Sequence, residues 1–224
     1  MDRSGIKGVI FDFDGVICQT EVYRMDYREA MMAKYGVQVD RRAYYGLIGT
    51  PPISDYDNEW GRRMDRIFGD QEAYRSHREE LIAFPRLTYD YPALATPGIG
   101  ETMGALKKAG LRIGVASNSR QEVLDRALED CGLREYVTEV LSGWELGRPK
   151  PDPYIYQLAM DRLGLEPGEC VIVEDSRHGI LAGKAAGAAA VFALHDRDGL
   201  LDQEGCDKVL WDIRELLGEI GVSQ

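Results

Sequence analysis

Two aspartates, Asp12 and Asp14, lie one residue apart in VIFDFDG, at the end of an apolar run. Along an extended strand, successive side chains point to opposite faces, so residues i and i+2 point the same way. Two neighbouring carboxylates repel each other unless a proton or a cation lies between them, and hard oxygen ligands of this kind suit Mg²⁺. The spacing indicates a metal site, but a lone D-x-D is equally typical of an acidic strand end that faces water.

Three further polar stretches follow later apolar runs. They are Ser117 and Asn118 in VASNS, Arg148 and Lys150 in GRPKPDP, and Glu174 and Asp175 in VIVEDS. Each pair alone has an ordinary explanation, as a helix cap, a solvated basic loop or an acidic turn. Together the four stretches offer carboxylates for a metal, hydroxyl and amide donors for oxygens, and a cation for surplus negative charge. Phosphoryl transfer needs this set of groups.

The elements that carry these groups are short apolar runs that alternate with amphipathic stretches, the pattern of an α/β fold with a parallel sheet. The predicted strands cover residues 7–13, 111–117, 138–142, 169–175 and 188–194. The predicted helices cover residues 99–110, 120–132, 152–164 and 177–187, and each ends at a glycine, a common C-terminal signal. In such sheets ligands bind beyond the carboxyl ends of the strands, where all four polar stretches fall.

Residues 18–90 break this alternation, because they show helical patterns and no convincing strand. The stretch TYDYPALATPG (88–98), with its two prolines, is a natural return linker. We therefore predict an α/β core of residues 1–17 and 91–224 and a small helical cap of residues 18–90. Residues 16–90 hold 11 Lys+Arg and 13 Asp+Glu, a net charge of −2, which leaves −9 of the total −11 for the rest of the chain.

The composition disfavours several kinds of partner. A net charge of −11 disfavours nucleic acid, whose phosphates would be repelled. No apolar run approaches the roughly 20 residues of a membrane span, and MDRSGIKG has no room for a signal-peptide core, so we expect a cytoplasmic protein without a membrane role. The four cysteines form no C-x-x-C pair, which suggests neither a disulfide framework nor a zinc site. The oligomeric state is left open, with a monomer as the starting expectation.

In order and spacing, the four polar stretches resemble the haloacid dehalogenase superfamily, in its phosphatase and β-phosphoglucomutase-like branch. The most specific pieces are FDFDGVI and VIVEDSRHGILAGKAAG. The resemblance covers the whole chain and implies a Rossmann-like parallel-sheet core with an inserted helical cap. It also implies a Mg²⁺-dependent phosphatase that hydrolyses a small phosphorylated metabolite, most commonly a sugar phosphate, through an aspartyl-phosphate.

The resemblance assigns roles to the four acidic residues. It implies that Asp12 is the nucleophile and that Asp14 is the general acid and base. It further implies that Mg²⁺ is held by Asp12, Asp175 and the backbone carbonyl of Asp14. Glu174 would support the metal from the side or through water.

The same resemblance implies that Ser117 and Asn118 hold phosphoryl oxygens and that a basic residue lies beside them. Relatives usually read G-K-P-x-P-D, which aligns their lysine with Arg148 and makes Lys150 the variable position. Arginine supplies the same charge on a planar fork, so we predict Arg148 as the phosphate-binding cation. Lys150 is kept as the alternative.

Members that resemble β-phosphoglucomutase carry an arginine three residues after a cap glycine, where it grips a second phosphate. Counted from Gly49, that position holds Pro52, which has neither charge nor donor, so we predict a hydrolase. The alternative is a β-phosphoglucomutase-like phosphotransferase in which Arg24 or Arg28 supplies the missing cation. These two arginines lie four residues apart on one helix face, although the usual exposure of arginine favours a solvent-facing pair.

A receiver-type phospho-switch is a rival from another class. It also gathers acidic residues, a phosphorylatable aspartate, a hydroxyl and a lysine around Mg²⁺ on a parallel sheet. The cap directly behind the first strand and the adjacent D-x-D argue against it. A catalytically silent binding protein is weakly supported, because all the chemical positions are filled.

Overall fold

The computed structural model of the chain describes residues 5–45, 56–82 and 88–222, with the side chains of 56–60 excepted. Within these residues one sheet has six strands in the order β3-β2-β1-β4-β5-β6, and every neighbouring pair is parallel. The strands are β1 (Gly8–Phe11), β2 (Arg112–Ser117), β3 (Glu139–Ser142), β4 (Cys170–Glu174), β5 (Ala190–Leu194) and β6 (Lys208–Leu210). This is the strand order of a Rossmann-like fold, as expected.

Helices surround the sheet and make up most of the described residues between β1 and β2. Up to β2 they are α1 (Thr20–Ala33), α2 (Arg41–Tyr45), α3 (Tyr56–Phe68), α4 (Glu72–Ser76), α5 (Arg78–Ile82), α6 (Tyr91–Leu94) and α7 (Ile99–Lys108). After β2 they are α8 (Gln121–Asp130), α9 (Gly143–Leu146), α10 (Tyr154–Leu163), α11 (Arg177–Ala185) and α12 (Glu215–Glu219). The predicted strands and the four predicted core helices are confirmed to within two residues at each end. The short elements β6, α2, α6, α9 and α12 were not predicted.

Strand β1 lies at the centre of the sheet and is buried along its whole length. The cluster on one face of the sheet includes Val9 and Phe11, and the cluster on the other includes Ile10. A parallel strand covered by helices on both faces needs apolar side chains throughout, which explains the continuous run GVIF. Phe11 pairs with Val115 of β2 and Val173 of β4, so the carboxyl ends of these three strands lie at one edge of the sheet.

The described residues between 20 and 82 form helices and connecting loops, without a strand. They have a small hydrophobic cluster of their own, made of Met32, Val37, Met64, Phe68, Tyr74 and Leu81. A second cluster joins Met25, Tyr44 and Tyr45 to Leu200 and Leu201, which follow β5. None of the helices in the described ranges has the length and apolar character that would let it cross a lipid bilayer.

Candidate active site

Asp12 follows β1 directly, and its backbone N–H still donates to the carbonyl of Val173, 2.9 Å away. The strand pairing therefore fixes where this residue leaves the sheet. The residue is buried, and its carboxylate accepts a hydrogen bond of 2.6 Å from Nζ of Lys150. Burial raises the pKa of Asp12 to about 8, against the opposing charge of Lys150, and the nearby Glu174 adds to the rise.

Asp12, Glu174 and Asp175 form a buried acidic cluster. Each offers a carboxylate oxygen, and these three atoms lie within 4.8 Å of one another. Burial raises the pKa of Asp175 well above its ordinary value, and Glu174 and Asp12 add to this effect. Three carboxylates with Lys150 as their counter-charge leave an excess of negative charge in a buried place, which a divalent cation would neutralise.

The loop after β1 has the shape that this cluster requires. Gly15 has φ of +80°, and a Cβ built on it would lie 1.9 Å from Oδ2 of Asp175. Only glycine allows the backbone to approach the carboxylate so closely in this conformation. Since carboxylate oxygens are the ligands that Mg²⁺ prefers, the residues present fit this metal. The cluster contains three of the four predicted metal ligands, and the fourth, Asp14, was expected to contribute its backbone carbonyl.

The Asp14 side chain has different partners from the cluster. Its carboxylate accepts hydrogen bonds from the hydroxyl of Thr20, at the start of α1, and from Oγ of Ser119 at 2.6 Å. The guanidinium of Arg24 lies 3.6 Å from the same carboxylate. Asp14 is therefore oriented by donors from α1 and from the loop between β2 and α8, separately from Asp12. Sequence reasoning missed Thr20 and Ser119, although both are hydroxyl residues within six positions of a predicted motif residue.

Ser117 is the last residue of β2 and Asn118 follows it, at the strand end as predicted. Oγ of the buried Ser117 accepts the backbone N–H of Ser119 at 3.1 Å, which leaves its hydroxyl proton able to donate. Oδ1 of Asn118 accepts the backbone N–H of Lys150 at 3.0 Å. Asn118 thus holds in place the loop that carries the basic residue.

Glu174 is buried completely and accepts hydrogen bonds from several donors. Nζ of Lys150 and the hydroxyl of Tyr156 each lie 2.6 Å from its Oε1. Its Oε2 accepts the backbone N–H of Asp175 at 3.1 Å and Oγ of Ser176 at 3.2 Å. These bonds satisfy a charge that would otherwise be costly to bury. Tyr156 is a further residue of the site that sequence reasoning missed.

Comparison with known proteins agrees with this geometry. Residues 6–187 match the family model of haloacid dehalogenase-like hydrolases. The chain belongs to this family. A β-phosphoglucomutase of Bacillus subtilis (strain 168) is 30% identical over 194 residues, which cover 83% of this chain and 82% of that protein.

Two further relatives support the assignment to this hydrolase family. A phosphorylated carbohydrates phosphatase of Thermotoga maritima is 28% identical and covers 88% of this chain and 91% of its own. A HAD family hydrolase from Deinococcus radiodurans R1, solved with bound phosphate and sodium, is 27% identical with a TM-score of 0.69, and the match covers 97% of each chain. The protein is therefore an enzyme of the HAD-like hydrolase family, and the receiver-type alternative is set aside.

In this HAD-like hydrolase, Lys150 rather than Arg148 lies beside the carboxylates, which corrects the predicted placement. Arg148 pairs with Asp152 at 3.0 Å, stacks 4.2 Å from the centre of the Tyr154 ring, and has a side chain that is 52% exposed. An alternative alignment was available in the sequence, because KPDP also spells K-P-x-P, starting at Lys150. The sequence alone does not decide between the two alignments, because either Arg148 or Lys150 can take the position of the relatives' lysine.

Arg24 and Arg28 do not form the solvent-facing pair that was expected. Arg28 is 3% exposed and donates to the carbonyl of Leu81 at 2.9 Å, inside the helical segment. Arg24 instead lies next to Asp14, as described above. Gly49 and Pro52, on which the hydrolase prediction rested, lie outside the described residues.

Proposed function

We propose that this HAD-like hydrolase is a Mg²⁺-dependent phosphatase that cleaves a small phosphorylated metabolite, such as a sugar phosphate, through an aspartyl-phosphate on Asp12. Residues 18–90 act as its cap and residues 1–17 and 91–224 as its catalytic core. The observation that supports the proposal best is the separation of two aspartates. Asp12 belongs to a buried cluster with Lys150, whereas Asp14, two residues later, is bound by hydroxyl donors and Arg24.

Asp12 is the nucleophile in this proposal. Its carboxylate attacks phosphorus, the bond to the ester oxygen breaks, and the phosphoryl group is carried on Asp12. Lys150 keeps a positive charge beside the Asp12 carboxylate, and the hydroxyl of Ser117 donates to a phosphoryl oxygen. Mg²⁺, held by Asp12 and Asp175 with Glu174 adjacent, would neutralise negative charge on the phosphoryl group.

Asp14 moves the protons. In the first step its carboxyl group gives a proton to the leaving ester oxygen, and in the second it takes a proton from the water that attacks the phosphorylated Asp12. Thr20 and Ser119 hold the Asp14 carboxyl group in one orientation for both steps. A general acid must lie within hydrogen-bond reach of the atom it serves, so this orientation matters for the rate.

Asp12→Asn tests the nucleophile. We expect this variant to stay folded and to lose turnover of p-nitrophenyl phosphate entirely, because an amide of the same shape cannot form the phosphoenzyme. Asp130→Asn, the same change on the exposed end of α8, is the control for folding and handling. A chelator should abolish wild-type turnover, and added Mg²⁺ should restore it. Activity of Asp12→Asn within tenfold of wild type would overturn the assignment.

A β-phosphoglucomutase-like phosphotransferase is the second candidate, and the 30% identical relative of that name favours it. The two reactions differ in the acceptor, which is water in one and a sugar hydroxyl in the other. β-Glucose 1-phosphate with a trace of the bisphosphate, followed by NMR, separates them. We expect free phosphate to account for the substrate consumed. Glucose 6-phosphate formed without matching free phosphate would identify a mutase instead.

A further inference from the structure

The guanidinium of Arg24 is held on three sides. Its Nε donates to the hydroxyl of Tyr89 at 2.8 Å, its Nη1 lies 2.6 Å from Oε1 of Glu21, and its Nη2 lies 3.6 Å from Oδ1 of Asp14. A guanidinium grips a phosphate by offering the two N–H groups of one edge in parallel. On Arg24 both terminal nitrogens already face carboxylates, so a second phosphate would have to displace one of them.

Glu21 compensates the charge of Arg24. Burial alone would lower the pKa of Arg24, but Glu21 and Asp14 outweigh it and raise the pKa well above its ordinary value, so the cation is permanent. When Asp14 carries the proton that it gives to the leaving oxygen, the charges of Glu21 and Arg24 cancel, and both terminal nitrogens of Arg24 still face carboxyl groups. A leaving group with its own negative charge therefore finds no unpaired cation on Arg24.

Glu21 is close enough to the catalytic carboxylates to influence them. Burial raises the pKa of Glu21, and the charge of Asp14 adds to this rise. Glu21 in turn contributes to the raised pKa of Asp175. The side chains of Asp14, Glu21 and Arg24 are 17%, 16% and 28% exposed, so a ligand can reach them without unfolding the helix.

Next to Arg24, the described residues include a cluster of tyrosine rings. Tyr23 and Tyr89 pack edge to face with ring centres 5.5 Å apart, and Tyr89 continues into a stack with Tyr91. The hydroxyl of Tyr89 accepts from Arg24 and so keeps a proton to donate. Tyrosine rings offer an apolar face with a polar tip, which suits a carbon skeleton bearing hydroxyl groups.

We propose that Glu21 and Arg24 select a neutral, polyhydroxylated leaving group, so that the enzyme takes monophosphates of sugars or polyols and rejects phosphate esters that carry a second anionic group. This inference rests on the proposed phosphatase function. The second arginine of the pair, Arg28, is 3% exposed and donates to the carbonyl of Leu81 inside the helical segment, so its buried guanidinium is not presented to a ligand beside Arg24.

A matched pair of phosphate esters tests the inference. Sorbitol 6-phosphate and 6-phosphogluconate differ only in a CH₂OH group that is replaced by a carboxylate. Each ester is measured as a competitor of p-nitrophenyl phosphate turnover in the presence of Mg²⁺. This gives an apparent inhibition constant for the ester, whether or not the enzyme also hydrolyses it. We expect sorbitol 6-phosphate to bind at least about tenfold more tightly, a difference of about 1.4 kcal/mol. Equal affinity, or tighter binding of the acid, overturns the inference.

Two variants should change the ratio of the apparent constants of the two competitors in opposite directions. Glu21→Gln removes the carboxylate that compensates Arg24, so the preference should shrink by about tenfold. Arg24→Gln removes the cation, so the preference should widen. Glu79→Gln, the same change at an exposed position of α5, should keep the wild-type ratio. A ratio that is unchanged in Glu21→Gln counts against the inference.

The control reaction with p-nitrophenyl phosphate distinguishes a failure of the proposed selection from a failure of the proposed phosphatase function. If wild-type enzyme turns over p-nitrophenyl phosphate but does not distinguish the two competitors, the selection by Glu21 and Arg24 is wrong and the phosphatase function stands. If the enzyme with Mg²⁺ does not turn over p-nitrophenyl phosphate, the proposed function falls and takes the inference with it.

Discussion

Lys150 is a single buried cation that serves two carboxylates. Its Nζ lies 2.6 Å from Asp12 and 2.6 Å from Glu174, and it lies 4.8 Å from the centre of the Tyr156 ring. Burial alone would lower its pKa, but Asp12 and Glu174 outweigh burial and raise the pKa above the ordinary value. Lys150 is therefore charged at neutral pH, beside the atom we propose as the nucleophile.

Replacement of Lys150 should cost far more than replacement of Arg148. We expect Lys150→Ala to lower kcat/KM for p-nitrophenyl phosphate by about a hundredfold or more, the usual cost of losing a preorganised charged donor. Arg148→Ala should lower it less than about threefold, since an exposed ion pair contributes little. Comparable losses in the two variants, or a larger loss in Arg148→Ala, would contradict the placement of Lys150.

Asp14→Asn tests the proton donor. Aryl phosphates have good leaving groups that need little protonation, whereas alkyl phosphates need a full proton. We expect the variant to lose kcat on an alkyl phosphate at least about tenfold more than on p-nitrophenyl phosphate. Ser119→Ala, which removes one donor to the same carboxylate, should show a smaller difference of the same sign. Equal losses on both substrates would count against Asp14 as the acid.

At the scale of elements, the site depends on how closely α11 approaches the end of β4. A Cβ built on Gly179, in the first turn of α11, would lie 1.8 Å from Oε1 of Glu174. Ser176 caps this helix, because its Oγ accepts the backbone N–H of Gly179 at 3.3 Å and lies 3.2 Å from Glu174. The start of the helix and the position of Glu174 are therefore coupled, and through Glu174 the position of Lys150 is coupled as well.

Gly179→Ala should disturb both stability and activity. The added methyl group has to displace Glu174, so we expect the free energy of unfolding to fall by about 1–3 kcal/mol and kcat/KM to fall with it. Gly218→Ala is the matched control, because Gly218 lies in α12 and a Cβ there meets nothing within 4 Å. In that helix alanine should raise stability by up to about 1 kcal/mol. Urea unfolding and kcat/KM measure both effects, and a neutral Gly179→Ala would show that Glu174 moves freely.

At the scale of the whole molecule, an ionic network joins the helical segment to the loop after β5. Asp198 accepts hydrogen bonds from Tyr45 at 2.8 Å and from Arg41, and Arg197 donates to Asp26 at 2.9 Å. Burial acts to raise the pKa of Asp198, but hydrogen bonds from Arg197, Tyr45 and Arg41 outweigh it and hold the pKa below its ordinary value. Hydrogen bonds from Arg197 above all lower the pKa of Asp26 to about 2.

Asp198→Asn should weaken this connection. Three donors converge on the carboxylate, so we expect the free energy of unfolding at pH 7 to fall by about 1–2 kcal/mol, against less than about 0.5 kcal/mol for Asp130→Asn in an exposed pair. Asp198 and Asp26 bind protons more weakly in the folded than in the unfolded chain. Their stabilisation is therefore complete above the ordinary value of 3.8 and is lost as the pH falls towards 2. The difference between wild type and Asp198→Asn should shrink from pH 7 to pH 3, and a difference that grows would contradict the sign.

The sequence by itself determined the sheet and the set of polar residues at its edge. Short apolar runs that alternate with amphipathic stretches predicted the confirmed strands, because a parallel sheet covered by helices requires buried strands and brings their carboxyl ends together. That rule alone was enough to expect Asp12, Ser117 and Asp175 at one place. The strands and the residues at their ends depend on the local sequence pattern, and not on how distant side chains pack.

Tertiary structure alone decided which of several similar residues enters the site. Arg148 and Lys150 are both basic and lie in one loop, but the bond from the Lys150 backbone to Asn118, 32 residues earlier, sets which side chain turns inward. Arg24 and Arg28 share a helix face, yet Arg28 meets Leu81 and Arg24 meets Tyr89, from segments more than 50 residues away. Spacing along one helix fixes which residues share a face, whereas the partner that covers each part of that face is brought there only by the folding of the rest of the chain.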